Sequence, residues 1–123
     1  RRRPMSRSIA RAARRLTAHV DKSAHVHPSA HLGPGVVILA RAYVGPRCEL
    51  RAGSIIGEGV HVGEGTVIGM HASLENCRIG ANCLLHSGVR IGADGFGFFA
   101  DAEGNMCKKP QLLRALVGNN VEI

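Results

Sequence analysis

The side chains with chemical capacity in this chain are seven histidines, four cysteines and three phenylalanines set near a lysine pair. Histidine exchanges a proton near neutral pH and offers a ring nitrogen to zinc, so His19, His25, His27, His31, His61, His71 and His86 are candidates for a general base or a metal ligand. Cys48, Cys77, Cys83 and Cys107 form no C-x-x-C pair and read as small buried hydrophobes in a reducing compartment. Phe96, Phe98 and Phe99 fall within four positions, interleaved with Gly95 and Gly97, and Lys108 and Lys109 follow before Pro110. Aromatic rings on a glycine-hinged loop near paired cations can form an apolar slot beside an anion site; the same rings can equally anchor the loop on a wall. No nucleophilic triad, P-loop or dinucleotide fingerprint is present, and the GxG of DGFGFF follows no strand-to-helix transition.

What must position these residues is a six-residue period. An aliphatic residue recurs at Val20, Val26, Leu32, Ile38, Val44, Leu50, Ile56, Val62, Ile68 and Leu74. One five-residue step leads to Ile79, Leu85 and Ile91, and the phase returns at Val117 and Ile123. Four places after most of these stands a small or β-branched residue, such as Ala24, Ala30, Val36, Ala42, Cys48, Ser54, Val60, Thr66, Ala72 and Cys83, and glycine often follows directly. Six is neither a helical period nor a two-residue alternation; it is the signature of an all-β, parallel β-helix of hexapeptide repeats. Three hexads close a triangular coil, with the aliphatic pointing inward and the small residue fitting where walls converge. Each inward aliphatic contributes up to about 1.5–3 kcal/mol when fully buried. In this register His25, His31 and His61 precede an inward residue, His27 and His86 follow one, and His71 falls in a turn, so most histidines are expected outward and solvated.

The pattern divides the chain into a basic leader over residues 1–19, a β-helix over 20–91, an insertion over 92–116 and a resumed β-helix over 117–123. The formal charge of +7 resides in the leader, where Arg1, Arg2, Arg3, Arg7, Arg11, Arg14 and Arg15 meet no acid. From Leu16 onward basic and acidic residues balance, which argues against a nucleic-acid footprint on the solenoid. An Arg-rich, acid-free amphipathic leader has the composition of an organellar transit peptide, mitochondrial before plastid. A short basic helix capping the solenoid is the alternative and implies a cytoplasmic protein. A nucleic-acid-binding arm is the third reading. The longest aliphatic run, GVVILA, is far short of a transmembrane span.

The segments HSGVRIGADGFGFF, GNMCKKPQLL and VGNNVEI together resemble the UDP-3-O-acylglucosamine N-acyltransferase family of the lipid A pathway, and the GNMCKKPQLL version looks most like plant and algal organellar members. The hexads are generic to many acyltransferases; the insertion between DGFGFF and KKPQL is specific. The resemblance implies a left-handed solenoid and a homotrimer with active sites in clefts between neighbouring solenoids. It implies transfer of a 3-hydroxyacyl group from the phosphopantetheine of acyl carrier protein to the glucosamine amine of a UDP-sugar, with no other cofactor and no metal. In that frame Asp94, Gly95, Phe96, Gly97, Phe98, Lys109, Pro110 and Gln111 shape the acyl or carrier-side wall of the cleft.

Two departures qualify the match. The hexads follow the leader directly, where the family carries a uridine-binding domain, and the family's catalytic histidine belongs to a coil beyond Ile123. The expectation is therefore the front part of such an enzyme, without its catalytic histidine. Of the histidines present, His86 is the candidate base, being one strand before the insertion and placed to face an intersubunit cleft. A non-catalytic trimeric scaffold and a zinc enzyme of the γ-carbonic-anhydrase type, with histidines split across an interface, are the alternatives. The inward assignment has a direct check. Val62→Asp should unfold the neighbouring coils, because an unpaired charge cannot be held inside, and a variant melting like the parent would contradict the register.

Overall fold

The computed structural model describes residues 17–92, 98–100, 106–108 and 114–123, with 98–100 and 106–108 described by their backbone pairing. Its strands are two or three residues long and numbered in chain order, and all but β14 and β15 visit three walls in rotation. The first wall stacks β1 (His19–Val20), β4 (Val37–Ile38), β7 (Ile55–Ile56), β10 (Ser73–Leu74) and β13 (Arg90–Ile91). The second stacks β2 (His25–Val26), β5 (Tyr43–Val44), β8 (His61–Val62), β11 (Cys77–Ile79) and β16 (Ala115–Val117). The third stacks β3 (His31–Leu32), β6 (Glu49–Leu50), β9 (Val67–Ile68) and β12 (Leu84–Leu85). Every pairing within a wall is parallel. The chain is thus a parallel β-solenoid of about four turns among the described residues.

The register places like on like. Val20, Ile38, Ile56, Leu74 and Ile91 are successive partners up the first wall, and Leu32, Leu50, Ile68 and Leu85 up the third. From Leu32 to Leu85 every periodic aliphatic is buried. The residue before each one points outward, so burial alternates within strands of only two residues even where both are apolar, as at Ile55–Ile56.

Small residues fill the corners and some also bond there. Where the second wall turns into the third, Cys48 donates its S–H to the Gly63 carbonyl at 3.0 Å, Thr66 its O–H to Gly80 at 2.8 Å and Cys83 its S–H to Gly118 at 3.0 Å. Each reaches a glycine carbonyl in the coil above. Cys77 is buried as well, with its thiol pushed up to about 11 by desolvation. It takes the small-residue place that the five-residue step hides in the sequence. The missing residue comes out of the turn at Glu75–Asn76, where Asn76 adopts a φ of 44°.

Two buried hydroxyls make opposite predictions. Ser54 Oγ has no hydrogen-bond partner, so Ser54→Ala should leave the denaturation midpoint unchanged or raise it. Thr66 Oγ1 both donates to Gly80 and accepts from the Cys83 amide at 3.2 Å. Thr66→Val should therefore cost about 1–3 kcal/mol in urea denaturation. Equal effects at the two sites would contradict this hydrogen-bond assignment.

Candidate functional site

The insertion leaves and rejoins the solenoid at one corner, between the first and second walls. It departs after β13 at Gly92 and returns through Arg114 into β16, whose Ala115 amide donates to the Asn76 carbonyl at 3.0 Å. Between them β14 (Phe98–Ala100) and β15 (Met106–Lys108) pair antiparallel, with Phe98 opposite Lys108, so the insertion contains a hairpin where the sequence suggested only a loop. Phe98 opens that hairpin. Asp94, Gly95, Phe96, Gly97, Lys109, Pro110 and Gln111 lie outside the described residues.

Gly92 is fixed by geometry. Its φ is +72°, and a Cβ there would run into the Glu75 carbonyl oxygen. The shortened Glu75–Asn76 turn lies directly beneath this departure point, so the insertion is seated on the one turn that lacks a residue.

Below that turn Arg41, Glu58, Gly59 and Arg114 surround an open cavity of about 460 Å³. Arg41 sits in the left-handed region at φ 58°, and its amide donates to Ser23 Oγ of the coil beneath at 2.9 Å. Its guanidinium pairs with the Glu58 carboxylate. Arg114 reaches down past the shortened turn, so that a Cβ on Gly59 would stand 3.6 Å from its Nη2. A larger groove, about 580 Å³, lies at the corner between the third and first walls, lined by Thr17, His31, Pro34, Glu49, Arg51 and Met70 among others. It is the more apolar of the two but stands away from the insertion, so the smaller corner cavity is the better functional candidate.

His86 occupies that same third-to-first corner, across the first wall from the insertion. Its Nε2 lies 2.8 Å from Glu122 Oε1, and its amide donates to the Ile123 carbonyl at 2.9 Å. A histidine held through one nitrogen by a carboxylate leaves the other free to accept a proton, the arrangement a general base needs. The pair is more than half exposed, so its contribution to stability is small. Among the described residues no three His, Cys, Asp or Glu side chains are grouped to hold a metal ion. No helix among them is long and apolar enough to cross a membrane.

His61 departs from the solvated expectation. Its ring stacks on Tyr43 of the coil below, with centroids 4.5 Å apart and planes at 17°. Its Nδ1 is buried without a partner. Burial, helped by nearby Arg78, holds its pKa below the ordinary histidine value. The three-hexad coil puts His61 over Tyr43, but the spacing alone does not show that the rings stack or that Nδ1 is buried.

A family description, bacterial transferase hexapeptide (six repeats), matches residues 59–93. A probable UDP-3-O-acylglucosamine N-acyltransferase 2, mitochondrial, from Arabidopsis thaliana is 57% identical over 53 residues, covering 43% of this chain and 17% of that protein. The UDP-3-O-acylglucosamine N-acyltransferase of Paracidovorax citrulli is 43% identical over 101 residues, covering 82% of this chain and 28% of that one. The chain is a hexapeptide-repeat protein related in sequence to UDP-3-O-acylglucosamine N-acyltransferases. It spans less than a third of the length of either relative. Among solved structures, serine acetyltransferase isoform 3 of Entamoeba histolytica aligns with this hexapeptide solenoid over 95% of the chain and 38% of its own, at a TM-score of 0.60 and 16% identity, which supports the fold alone.

Two outcomes follow for this hexapeptide-repeat protein. Gly92→Ala should destabilise by more than about 1 kcal/mol, because a side chain meets both a left-handed φ and the Glu75 carbonyl; an unchanged thermal midpoint would contradict that packing. The pKa of His61 is lowered on folding, so the unfolded chain binds its proton first. The stability this residue supplies is complete above its ordinary value of 6.5 and is lost as pH falls below it. The fall in urea midpoint between about pH 7.5 and pH 5 should therefore shrink in His61→Gln; an unchanged fall would remove the effect.

Proposed function

We propose that the protein of which this chain is part is an N-acyltransferase of the UDP-3-O-acylglucosamine type. The observation that carries the reading is the 43% identity over 101 residues to an enzyme of that name. In this reading the amine nitrogen of the UDP-sugar attacks the thioester carbonyl of a 3-hydroxyacyl group on acyl carrier protein. The carbon–sulfur bond breaks, the phosphopantetheine thiol leaves, and a base takes the amine proton. The sequence resemblance assigns that base to a coil beyond Ile123; the His86–Glu122 pair is the base candidate within this chain.

Asp94, Gly95, Phe96, Gly97, Phe98, Lys109, Pro110 and Gln111 form, in this proposal, the acyl or carrier-side wall of a cleft between subunits of a homotrimer. What supports it is their position on the one insertion that leaves the repeat, since loops on a rigid scaffold carry binding work. The arginine-rich leader, together with the mitochondrial name of the Arabidopsis relative, supports a mitochondrial location.

Full-length protein mixed with 3-hydroxyacyl-acyl carrier protein and UDP-3-O-acylglucosamine should add one acyl group to the sugar by mass and release one free thiol per turnover. A soluble trimer that transfers nothing would remove the reading in favour of a scaffold. Within an active enzyme, Lys109→Ala should raise KM for the acyl carrier donor about tenfold with little change for the sugar; a change confined to the sugar would place Lys109 elsewhere.

A further inference from the structure

We propose that the corner cavity beneath the insertion is a phosphate subsite, formed by Arg41 and Arg114 on either side of Gly59. Three features of the corner support this. The first is charge. Arg41 is paired with Glu58, whereas Arg114 makes no ion pair or hydrogen bond among the described residues, so its guanidinium remains available to an anion. The second is access. Gly59 has no side chain, and the space above it is open except for the Arg114 guanidinium itself. The third is preorganisation. The Ser23 hydroxyl accepts from the Arg41 amide and fixes that turn, so the backbone carrying the guanidinium is already ordered when an anion arrives.

The solenoid supplies its own control. One corner further along the same coils, Arg47 repeats the arrangement of Arg41. It has a φ of 57°, an amide bonded to Ser29 Oγ at 2.8 Å and a guanidinium 3.2 Å from Glu64. Over the glycine of that corner, Gly65, stands the amide oxygen of Asn82 instead of a second guanidinium. An arginine–glutamate pair on a left-handed turn is thus a repeated structural device. The Arg41 corner departs from it by adding a second cation and a cavity. The second cation occurs at the corner of the shortened Glu75–Asn76 turn, whose coil stands between that of Gly59 and that of Arg114.

Two guanidiniums flanking an open space suit the paired oxygens of a phosphate or diphosphate. The choice of natural source rests on the acyltransferase reading, which offers two: the diphosphate of the UDP-sugar and the phosphodiester of the carrier's phosphopantetheine. The existence of the subsite does not rest on it.

Calorimetric titration of the full-length protein with inorganic pyrophosphate at low salt reads the subsite without any acyl transfer. Affinity should fall about tenfold in Arg114→Gln and in Arg41→Gln, recover largely in Arg114→Lys, and rise in Glu58→Gln, which removes the competing carboxylate. Arg47→Gln should bind as the parent does. An unchanged Arg114→Gln, or an equal loss in Arg47→Gln, overturns the proposal. Competition then separates the sources. Displacement of pyrophosphate by UDP supports the sugar nucleotide, displacement by phosphopantetheine supports the carrier arm, and displacement by neither overturns a role in substrate binding. Failure of the acyltransferase reading would show in the transfer assay while pyrophosphate binding stayed intact.

Discussion

From Leu32 to Leu85 each inward aliphatic is dry because its equivalents in the neighbouring coils stand directly against it. Strands of two or three residues cannot bury anything alone, and a single coil has no interior to speak of. Stacking supplies both the apolar contact, Leu32 on Leu50 on Ile68 on Leu85, and the backbone pairing that runs up each wall. The two requirements agree at every step, since the register that pairs the strands also superposes the side chains. The turns join in, with Gly53 donating to Pro34, His71 to Ala52 and Gly88 to Met70. Nearly all of the cohesion therefore runs along one axis.

A scaffold so regular leaves chemistry to its corners. Walls present one outward residue per strand, and those rows are mixed: Val37, Ile55, Ser73 and Arg90 on the first, His31, Glu49, Val67 and Leu84 on the third. At corners the backbone enters the left-handed region, side chains splay and neighbouring coils can exchange charges, as Arg41 does with Glu58 and Arg47 with Glu64. The insertion, the paired arginines and the His86–Glu122 contact all lie at corners flanking the first wall.

The core was legible in the sequence because inward residues obey a rule of spacing that no surface residue needs to obey. Val20 to Ile91 gave the walls, and the small residues four places on gave the corners. Cys77 escaped that rule since the five-residue step moves it to three places after Leu74. The Arg41–Arg114 cavity was not legible, and the three-hexad coil placed His61 over Tyr43 without showing that their rings stack. Coil stacking fixes which outward positions lie over one another, but outward residue types follow no rule that says what such a pair does. His86 was singled out for its closeness to the insertion in sequence, yet it stands at the opposite edge of the first wall. What distinguishes it is Glu122, 36 residues away, which no spacing argument reaches.

The shortened turn at Glu75–Asn76 and the insertion above it are the same event at two scales. One residue is removed from a corner and more than twenty are added at the next level of that corner, while Leu74, Ile79, Ile91 and Val117 keep their places in the walls. The lattice counts strands and is indifferent to the length of chain between them. Gly92 and Arg114 therefore act as a socket, and a hairpin of different length or composition can be grafted between them without rewriting the repeats. A family built this way can change what it recognises by exchanging a single plug-in segment and leaving its architecture untouched.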